Sequence, residues 1–429
     1  MRNRVTRLTL LAAAFALVAA ACGGGDGDDD TASPAPSTTP ATTSAATTTA
    51  GATTQAPVTT EAPGGSGATT GDLTLSVDAA FTATEIGRGT KPVLALAPDG
   101  TPGVAFLLEA FDGFIAYADA GDGWTPSTVV DGYFYGPIGL SYDPSGVPHI
   151  GYHDHQDNTF RDELGDLTVA VRNDSGWGVE AIEDEGHDGW DSTLVIAGDG
   201  VVRAAGVDPQ QFGRTDGVEY FERGASGWSV TPIGSGPIAY EFNVSLAVDP
   251  AGNPALTYYD NNTQELKFAM RDGDAWSIET IDADGDTGRY SSLAFDADGN
   301  PHVSYFLLDS RTSGTVRYAT NRGGTWETAD VDALDDVRTG FTGARRITSL
   351  ALDAEGSPHV VYSDESVVRY ATLEAGSWVV SGVATAGDRA LGQLVSFELD
   401  GAGTPHIALF EVTSSSPLDG VVAYLTSAS

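Results

Sequence analysis

The sequence predicts an all-β fold, a seven-bladed β-propeller of four-stranded blades that follows a disordered tether. A segment with a turn glycine recurs seven times, and the segments around each turn alternate apolar and polar residues. The chain has 53 glycines and only 2 methionines, a balance typical of short strands and tight turns. The repeat glycines are Gly100, Gly146, Gly200, Gly252, Gly299, Gly356 and Gly403.

Each repeat supplies four short strands, which is one blade. The clearest copies, SLAFDADGNPHVSY (292–305) and SLALDAEGSPHVVY (349–362), place two alternating segments around a D-x-x-G-x-P turn. A third alternating segment and a second glycine-containing turn follow, and then a tryptophan opens the fourth strand in six units. These tryptophans are Trp124, Trp177, Trp228, Trp276, Trp326 and Trp378.

The two ends of the folded region predict how the ring closes. The seventh unit stops at residues 421–425, after its third strand, and no tryptophan strand follows it. Residues 81–86 (FTATEI) form an orphan strand with Phe81 at the tryptophan position. We expect this N-terminal strand to complete the last blade, because closure removes exposed sheet edges.

The region before the propeller predicts export and anchoring. Residues 1–21 hold three arginines and an apolar run that spans roughly 21 Å as a helix, shorter than the ~30 Å hydrocarbon core, so we interpret them as a signal peptide. The segment LVAAAC (17–22) resembles the lipobox of bacterial lipoproteins. This resemblance implies lipidation of Cys22 and a lipid anchor on the outer side of the bacterial cytoplasmic membrane. Residues 22–80 contain no aromatic residue and read as a disordered tether, followed by the propeller domain at 81–429.

Charge and cysteine content exclude several functions. With 21 basic and 60 acidic side chains, the net charge is -39, which argues against nucleic-acid binding and against electrostatic docking on anionic lipid. The single cysteine excludes a disulfide within the chain. We therefore expect membrane contact through the lipid anchor only, a monomer, and no cofactor other than a divalent metal.

Two turns carry a family resemblance. NRGGTW (321–326) resembles the Asp-box S-x-D-x-G-x-T-W of sialidase-like propellers, with Ala319 and Asn321 in place of its Ser and Asp, and DAGDGW (119–124) keeps the Asp and the first Gly. The resemblance implies a seven-bladed propeller similar to bacterial sialidase-like and lectin-like members. It does not imply one activity, because Asp-boxes occur in proteins with many functions.

Residues that recur in every blade are expected to pack the ring, whereas a binding site must break the symmetry. We therefore interpret His149, His302, His359 and His406, which share one repeat position, as hydrogen-bonded histidines between blades rather than metal ligands or catalytic groups. The Asp of D-x-x-G-x-P is expected to accept backbone N–H groups of its own turn. The repeat tryptophans are expected to pack between blades rather than stack on sugars.

Strand direction divides the connections between two faces. The turns between strands one and two and between strands three and four lie on one face, here called the turn face. The loops between strands two and three and between blades lie on the other, here called the loop face, where binding residues are expected. Candidate ligand-binding residues there are Tyr135, Trp190, Tyr259, Asp260, Arg289, Tyr290 and Arg345.

Two acidic regions of the loop face suggest metal binding, and each has a plainer alternative. Imidazole and carboxylate groups around unit 2 suit zinc, manganese or iron ions, but acidic loops are commonly only solvated. The segment DADGDTG (282–288) resembles part of a calcium loop, although its glycine is displaced, so a plain acidic turn is preferred. The candidate metal ligands are His153, His155, Asp157, Glu183, His187 and Asp188.

The sequence leaves two functions open. The first is a surface-anchored lipoprotein that presents a propeller face to an extracytoplasmic glycan or protein partner. The alternative is a sialidase-like glycoside hydrolase or a lyase that uses paired carboxylates at the channel mouth, although the F-R-I-P motif of sialidases is missing. The carboxylates considered for this role are Glu183, Asp188, Glu241, Asp286 and Asp388.

Overall fold

The computed structural model describes the propeller and a short segment before it. The described residues are 48–50, 52–54, 73–108, 113–132, 134, 137–154, 166–182, 190–208, 217–234, 244–310, 312–335, 337, 347–364, 366–387, 389–392, 394–415 and 418–428. For residues 48–50, 52–54, 190, 191 and 208 only the backbone is described.

Four strands precede the first blade; three of them pair with the outer strand of a later blade, and the fourth is itself the outer strand of the last blade. They are β1 (Thr48–Ala50), β2 (Ala52–Thr54), β3 (Ser76–Val77) and β4 (Phe81–Arg88). β1 and β2 pair with blades 3 and 2, β3 pairs with blade 6, and β4 belongs to blade 7.

The rest of the chain forms seven antiparallel sheets, which are the blades of a β-propeller. Blade 1 contains β5 (Thr90–Leu96), β6 (Pro102–Leu108), β7 (Gly113–Asp119) and β8 (Ser127–Gly132); blade 2 contains β9 (Gly139–Tyr142), β10 (Pro148–Asp154), β11 (Asp166–Asn173) and β12 (Gly176–Ile182); and blade 3 contains β13 (Trp190–Ile196), β14 (Val202–Asp208), β15 (Gly217–Gly224) and β16 (Gly227–Pro232). Blade 4 contains β17 (Ser245–Val248), β18 (Pro254–Asp260), β19 (Glu265–Asp272) and β20 (Ala275–Asp282), and blade 5 contains β21 (Asp286–Phe295), β22 (Pro301–Leu308), β23 (Gly314–Thr320) and β24 (Glu327–Leu334). Blade 6 contains β25 (Thr348–Leu352), β26 (Pro358–Ser363), β27 (Val367–Glu374) and β28 (Ser377–Thr385), and blade 7 contains β29 (Ala390–Leu391), β30 (Ser396–Leu399), β31 (Pro405–Ser415) and β32 (Leu418–Ser427).

The ring closes as the sequence predicts. β4 lies antiparallel to β32 and is the outermost strand of blade 7, with Thr84 opposite Tyr424 and Phe81 opposite Ser427. The backbone N–H of Ala428 also donates to the carbonyl of Ala80 at 2.8 Å. The first strand of the ring and the last strand of the chain are therefore neighbours.

The Asp of each D-x-x-G-x-P turn caps its own turn, as expected. Asp296 Oδ1 accepts hydrogen bonds from the backbone N–H groups of Asp298 at 3.1 Å and Asn300 at 2.8 Å. Gly299 follows with φ +83°, in the left-handed region that favours glycine. The same capping pattern is present at Asp143, Asp249, Asp353 and Asp400.

A ring of aromatic pairs joins consecutive blades and confirms the packing role of the tryptophans. In five junctions the tryptophan that opens a fourth strand contacts an aromatic ring on the third strand of the preceding blade, with centroids 4.6 to 5.5 Å apart. Phe81 makes the same contact with Tyr370 at 6.4 Å, which confirms its place at the tryptophan position. The five pairs are Trp177–Tyr117, Trp276–Tyr220, Trp326–Phe268, Trp378–Tyr318 and Trp124–Tyr424.

The folded region begins earlier than the sequence predicts. Residues 73–80 lie within the range assigned to the disordered tether, yet Leu73, Leu75 and Val77 pack against the core between blades 6 and 7. These apolar residues alternate with polar ones, so one side of the segment is buried. The wider tether has few apolar residues, and its overall composition therefore predicts disorder for this segment too. None of the described segments forms a helix with the length and apolar character needed to cross a bilayer.

Candidate functional site

The connections on the two faces differ in regularity. Between the first and second strands every blade has a five-residue turn, from 97–101 in blade 1 to 400–404 in blade 7. On the loop face, the connections between strands two and three range from residues 416–417 in blade 7 to residues 155–165 in blade 2. The loop face therefore carries the irregularity that a specific site requires.

The most complete polar cluster of the described loop face lies where blades 4 and 5 meet. Arg289, near the start of the innermost strand of blade 5, makes a bidentate ion pair with Asp286, with Nε–Oδ1 at 2.9 Å and Nη2–Oδ2 at 2.8 Å. Tyr259, at the end of β18, donates to Asp286 Oδ1 at 2.8 Å. The Arg289 guanidinium also lies over the Tyr259 ring, 4.8 Å from its centroid.

These contacts fix the protonation states of the cluster. Burial, and then the hydrogen bond to Asp286, raise the pKa of Tyr259 to about 12. Burial alone would lower the pKa of Arg289, but the hydrogen bond to Asp286 outweighs it and the pKa is raised. A neutral tyrosine and a charged arginine are thus held in one geometry at neutral pH, and the arginine charge is balanced by Asp286.

A polar ledge, formed by residues 260–264 and 282–289, surrounds this cluster. The backbone N–H of Thr287 donates to the Gln264 carbonyl at 3.1 Å, so the loop within blade 4 is bonded to the connection leading into blade 5. Asp260 Oδ1 accepts from the backbone N–H of Asn262 at 2.9 Å. Gln264 has φ +57°, which is strained for a residue with a side chain. Asn261, Asn262, Thr263 and Gln264 are exposed on this rigid support.

The segment DADGDTG, which forms part of the ledge, is held by arginines rather than arranged as a cation cage. Asp282 is buried and accepts from Tyr305 Oη at 2.7 Å and Arg317 Nη1 at 3.0 Å. Burial would raise the pKa of Asp282, but these hydrogen bonds and one from the Asp284 backbone lower it. Asp286 is paired with Arg289, as described above. The preferred interpretation, an acidic turn, agrees with this arrangement.

The contact of Asp282 recurs one blade further on. Tyr362 Oη donates to Asp332 Oδ2 at 2.9 Å, and Arg369 lies 3.8 Å from the same carboxylate. The strand registers show that the two sets are equivalent, because Tyr305 lies opposite Arg317 and Tyr362 lies opposite Arg369. These Tyr–Asp–Arg nodes, as we call them, join blade 4 to blade 5 and blade 5 to blade 6, and by their recurrence belong to the scaffold.

The repeated histidines are packed between an aspartate and a tyrosine, which supports the packing interpretation. His302 Nδ1 lies 2.5 Å from Tyr318 Oη, and its Nε2 lies 3.4 Å from Asp296. Because the carboxylate faces Nε2, that nitrogen carries the proton, and the tyrosine donates to Nδ1. His359 and His406 have the same neighbours, Tyr370 and Asp353 for the first and Tyr424 and Asp400 for the second.

His149 differs from the other three. Its Nε2 is 3.7 Å from Asp143, and both of its ring nitrogens are buried without a hydrogen-bond partner. Val169 occupies the register position that a tyrosine holds in blades 5 to 7, and the fully buried Trp228 of blade 3 packs in the same cluster. Val169 leaves His149 without the hydroxyl that its counterparts contact.

The predicted ligand-binding residues have different fates. Tyr259, Asp260 and Arg289 come together in the ledge, as described above. Tyr259 and Tyr290 are each 1% exposed, so neither ring can stack on a sugar, which corrects the expectation that both line the open face. Tyr290 packs against Phe306 in the core instead. Trp190 begins β13, with only its backbone described, and Tyr135 and Arg345 lie outside the described residues, as does Cys22.

The predicted metal cluster is largely outside the described residues. His153 is buried at the end of β10. His155, Asp157, Glu183, His187 and Asp188 fall in segments that are not described. Within the described ranges no group of three or more His, Cys, Asp or Glu side chains is arranged to hold a metal ion.

The axial channel is narrow and mostly uncharged. A cavity of about 390 Å³ is lined by the innermost strands of all seven blades, and Glu398 is the one charged side chain of its lining. Serine hydroxyls in the lining accept hydrogen bonds from the innermost strand of the next blade, as Ser245 does from the Leu293 N–H at 3.0 Å and Ser396 from the Leu94 N–H at 2.9 Å. The channel wall therefore provides blade-to-blade bonds rather than a pair of carboxylates.

Several contacts within the polar ledge could not be predicted from the sequence. Gln264 and Thr287 carry no motif, and their contact depends on two loops meeting. Asp286 was considered only as a candidate acid, but its carboxylate is bound by Arg289 and Tyr259. The other considered carboxylates, Glu183, Asp188, Glu241 and Asp388, lie outside the described residues.

The chain matches no protein-family model and no curated protein in sequence. Among solved structures, a PL25 ulvan lyase gives a TM-score of 0.54 at 13% identity, covering 79% of this chain and 94% of the lyase. A PL25 ulvan lyase structure bound to -[GlcA(1-4)Rha3S]- gives a TM-score of 0.53 at 13% identity, covering 82% of this chain and 96% of the lyase.

Two further solved structures superimpose more loosely. Aleuria aurantia lectin in complex with Fucalpha1-6GlcNAc gives a TM-score of 0.45 at 12% identity, covering 69% of this chain and 95% of the lectin. The intramolecular trans-sialidase from Ruminococcus gnavus gives a TM-score of 0.41 at 10% identity, covering 79% of this chain and 94% of the trans-sialidase. These two similarities carry no argument. Together with the blade topology, the likeness to the ulvan lyase establishes that this chain has the fold of a seven-bladed propeller, and at such low identity it establishes the fold alone.

Proposed function

We propose that this chain is a cell-envelope lipoprotein that binds a glycan outside the cytoplasmic membrane through the loop face of its propeller. The observation that carries the proposal is the contrast between the faces: seven five-residue turns on one, and connections of very different length on the other. A rigid ring with a variable face is suited to recognition, because the scaffold positions the loops without depending on their sequence.

The polar character of the described loop face favours a glycan over a protein partner. The ledge exposes amide and hydroxyl groups of Asn261, Asn262, Thr263 and Gln264, which can hydrogen-bond sugar hydroxyls. The large apolar side chains that are exposed within the described residues, Ile278, Val379 and Val380, lie on the outer strands of blades 4 and 6 instead. Protein interfaces usually centre on buried apolar anchors, which this part of the face does not offer.

Binding is also favoured over hydrolysis by the charge states of the described carboxylates. A glycosidase acid needs a raised pKa so that it is protonated near neutral pH. Nine described carboxylates have a pKa that is shifted downward: Asp99, Asp143, Asp199, Glu265, Asp282, Asp296, Asp353, Asp364 and Asp400. The ulvan lyase is similar in fold, which leaves catalysis as the outcome that would compete with our proposal.

The ledge can be tested with glycan arrays and matched variants. We expect the purified protein to bind a set of glycans, and Asn261→Ala and Gln264→Ala to weaken that binding about tenfold, as loss of one or two hydrogen bonds would. Asn173→Ala, an exposed asparagine on the turn face, is the control and should bind as the wild type does. Depolymerisation of a bound polysaccharide would contradict a purely binding role. Equal binding by all variants would exclude the ledge as the site.

Anchoring has a separate test. If Cys22 carries the lipid, Cys22→Ser should move the protein from the membrane fraction to the soluble fraction and abolish incorporation of labelled fatty acid. The chain has no other cysteine that could substitute for it. A Cys22→Ser protein that stays in the membrane fraction would contradict lipidation at this residue.

A further inference from the structure

The junction between blades 6 and 7 lacks the node that joins blades 4, 5 and 6. By strand register, Leu409 lies opposite Ala423, where blades 5 and 6 have Tyr305 opposite Arg317 and Tyr362 opposite Arg369. Ala384 lies opposite Val368, as Asp332 lies opposite Val316. Small apolar side chains thus replace the tyrosine, the arginine and the aspartate, and all three are buried.

The segment before the ring fills this junction. Leu73, Leu75 and Val77 pack into the cluster that contains Leu409, Ala384 and Ala423. In the same segment β3 pairs with the outer strand of blade 6, with Val77 opposite Ala384 and Ser76 opposite Thr385. The segment 73–77, here called the lead-in, therefore supplies by apolar packing what the Tyr–Asp–Arg node supplies elsewhere.

Polar contacts tie the lead-in to blade 7 as well. Glu411, on β31, is completely buried, and its carboxylate accepts from the Thr74 backbone N–H at 2.9 Å, from the Thr74 hydroxyl, and from Arg389 Nη1 at 3.2 Å. The backbone N–H of Leu73 donates to Glu85 Oε2 at 3.2 Å, and Glu85 lies on the closing strand β4. A buried carboxylate is costly unless its partners stay in place, so Glu411 favours the docked lead-in.

We propose that the lead-in is a clasp that closes the ring a second time. β4 joins the N-terminal region to β32 only. The lead-in is bonded to three places: to β4 through Glu85, to blade 7 through Glu411, and to the outer strand of blade 6 through β3. Any pull on the chain upstream of Leu73 reaches the clasp before it reaches β4. The clasp therefore keeps the closing strand in place when the N-terminal side is under load.

Hydrogen exchange on the full chain tests the clasp without any ligand, so its result is independent of the proposed glycan binding. Leu75→Asp places a charge in the apolar junction, and we expect the amides of residues 81–88 to exchange roughly tenfold faster while those of blades 3 and 4 are unchanged. Ser76→Ala, an exposed position of the same segment, is the control and should leave exchange unchanged. Equal acceleration in all blades, or none in 81–88, would overturn the proposal.

A locked variant gives the opposite expectation and remains informative if Leu75→Asp does not fold. Ser76→Cys combined with Thr385→Cys joins two residues that face each other across β3 and β28, and Cys22→Ser in the same chain removes the competing thiol. When the new disulfide is oxidised, the amides of 81–88 should exchange about tenfold more slowly than in the reduced protein. The same exchange rate in both redox states would show that the lead-in does not hold the closing strand.

Discussion

One position in the second strand of each blade shows how a ring solves the same packing problem with different residues. In blades 5 to 7 a histidine fills the space between an aspartate and a tyrosine. In blade 1 the position is Gly103, and the space is taken by Tyr142 Oη of the next blade, which would lie 2.0 Å from an added Cβ. In blade 3 it is Arg203, buried against Asp199 and Glu222. The same position therefore accommodates a histidine, a glycine or an arginine, each with its own set of neighbours.

The buried histidines predict how stability responds to acid. Burial is the main cause that lowers the pKa of His302, His406 and His149 in the folded protein. The unfolded chain, with histidine pKa values near 6.5, therefore takes up protons first as the pH falls, so stability is full above about pH 6.5 and declines below it. The loss is about 1.4 kcal/mol for each pKa unit by which one histidine is lowered.

Urea unfolding at a series of pH values measures this response. We expect the midpoint to fall between about pH 7.5 and pH 5. In His406→Asn the fall should be smaller, because one lowered histidine is removed. The aspartates add a second decline at lower pH, since hydrogen bonds from the backbone N–H groups of Thr404 and Ala402 hold the pKa of Asp400 below its usual value. A midpoint that rises as the pH falls from 7.5 to 5 would contradict this assignment.

At the scale of elements, the closing strand takes the part of a fourth strand that the last repeat lacks. Phe81 contacts Tyr370 of blade 6 as Trp378 contacts Tyr318 of blade 5. β4 therefore contributes both ladder hydrogen bonds to β32 and an aromatic contact across the junction. The lead-in adds a third attachment to the same strand through Glu85.

Substitutions at Phe81 test this contact. Phe81→Ala should lower the free energy of unfolding by about 2 kcal/mol, less than for a fully buried phenylalanine because the ring is half-buried. Phe81→Trp should be tolerated, since six blades hold tryptophan at this position. Thr82→Ala, at an exposed neighbouring position, is the matched control for chemical denaturation. A cost for Phe81→Ala no greater than for Thr82→Ala would remove Phe81 from the closure.

The elements that recur were predictable from sequence, and those formed by distant segments were not. The repeat period predicted the seven blades, and the tryptophan position predicted β4 as the closing strand. Both predictions depend on a pattern that is repeated along the chain. The neighbours Arg289 and Tyr290 were both assigned to the loop face, but Tyr290 adopts φ +57° within a bulge, which breaks the alternation of strand side chains. Thr74 and Glu411 are 337 residues apart in sequence, and no local pattern connects them.

At the scale of the whole molecule, net charge limits which glycans could serve as the ligand that we propose for the loop face. The chain has a net charge of -39. The arginines of the described loop face are each paired with a carboxylate, as Arg289 is with Asp286 and Arg369 is with Asp364. Paired arginines provide little net attraction for sulfate or carboxylate groups, while the acidic surface repels them at long range. If the loop face binds a glycan as proposed, a neutral glycan is therefore favoured on electrostatic grounds.

Salt dependence separates neutral from anionic ligands. Two glycans with one backbone, with and without sulfate, should differ about tenfold in affinity at about 50 mM salt, with the sulfated form weaker. The difference should shrink at about 500 mM, where screening confines electrostatic effects to a few ångströms, while affinity for the neutral glycan stays nearly constant. Calorimetry or surface binding with the same protein sample measures both arms. Tighter binding of the sulfated form at low salt would mean that a local basic site overrides the charge of the whole molecule, and the choice of a neutral glycan would then be wrong.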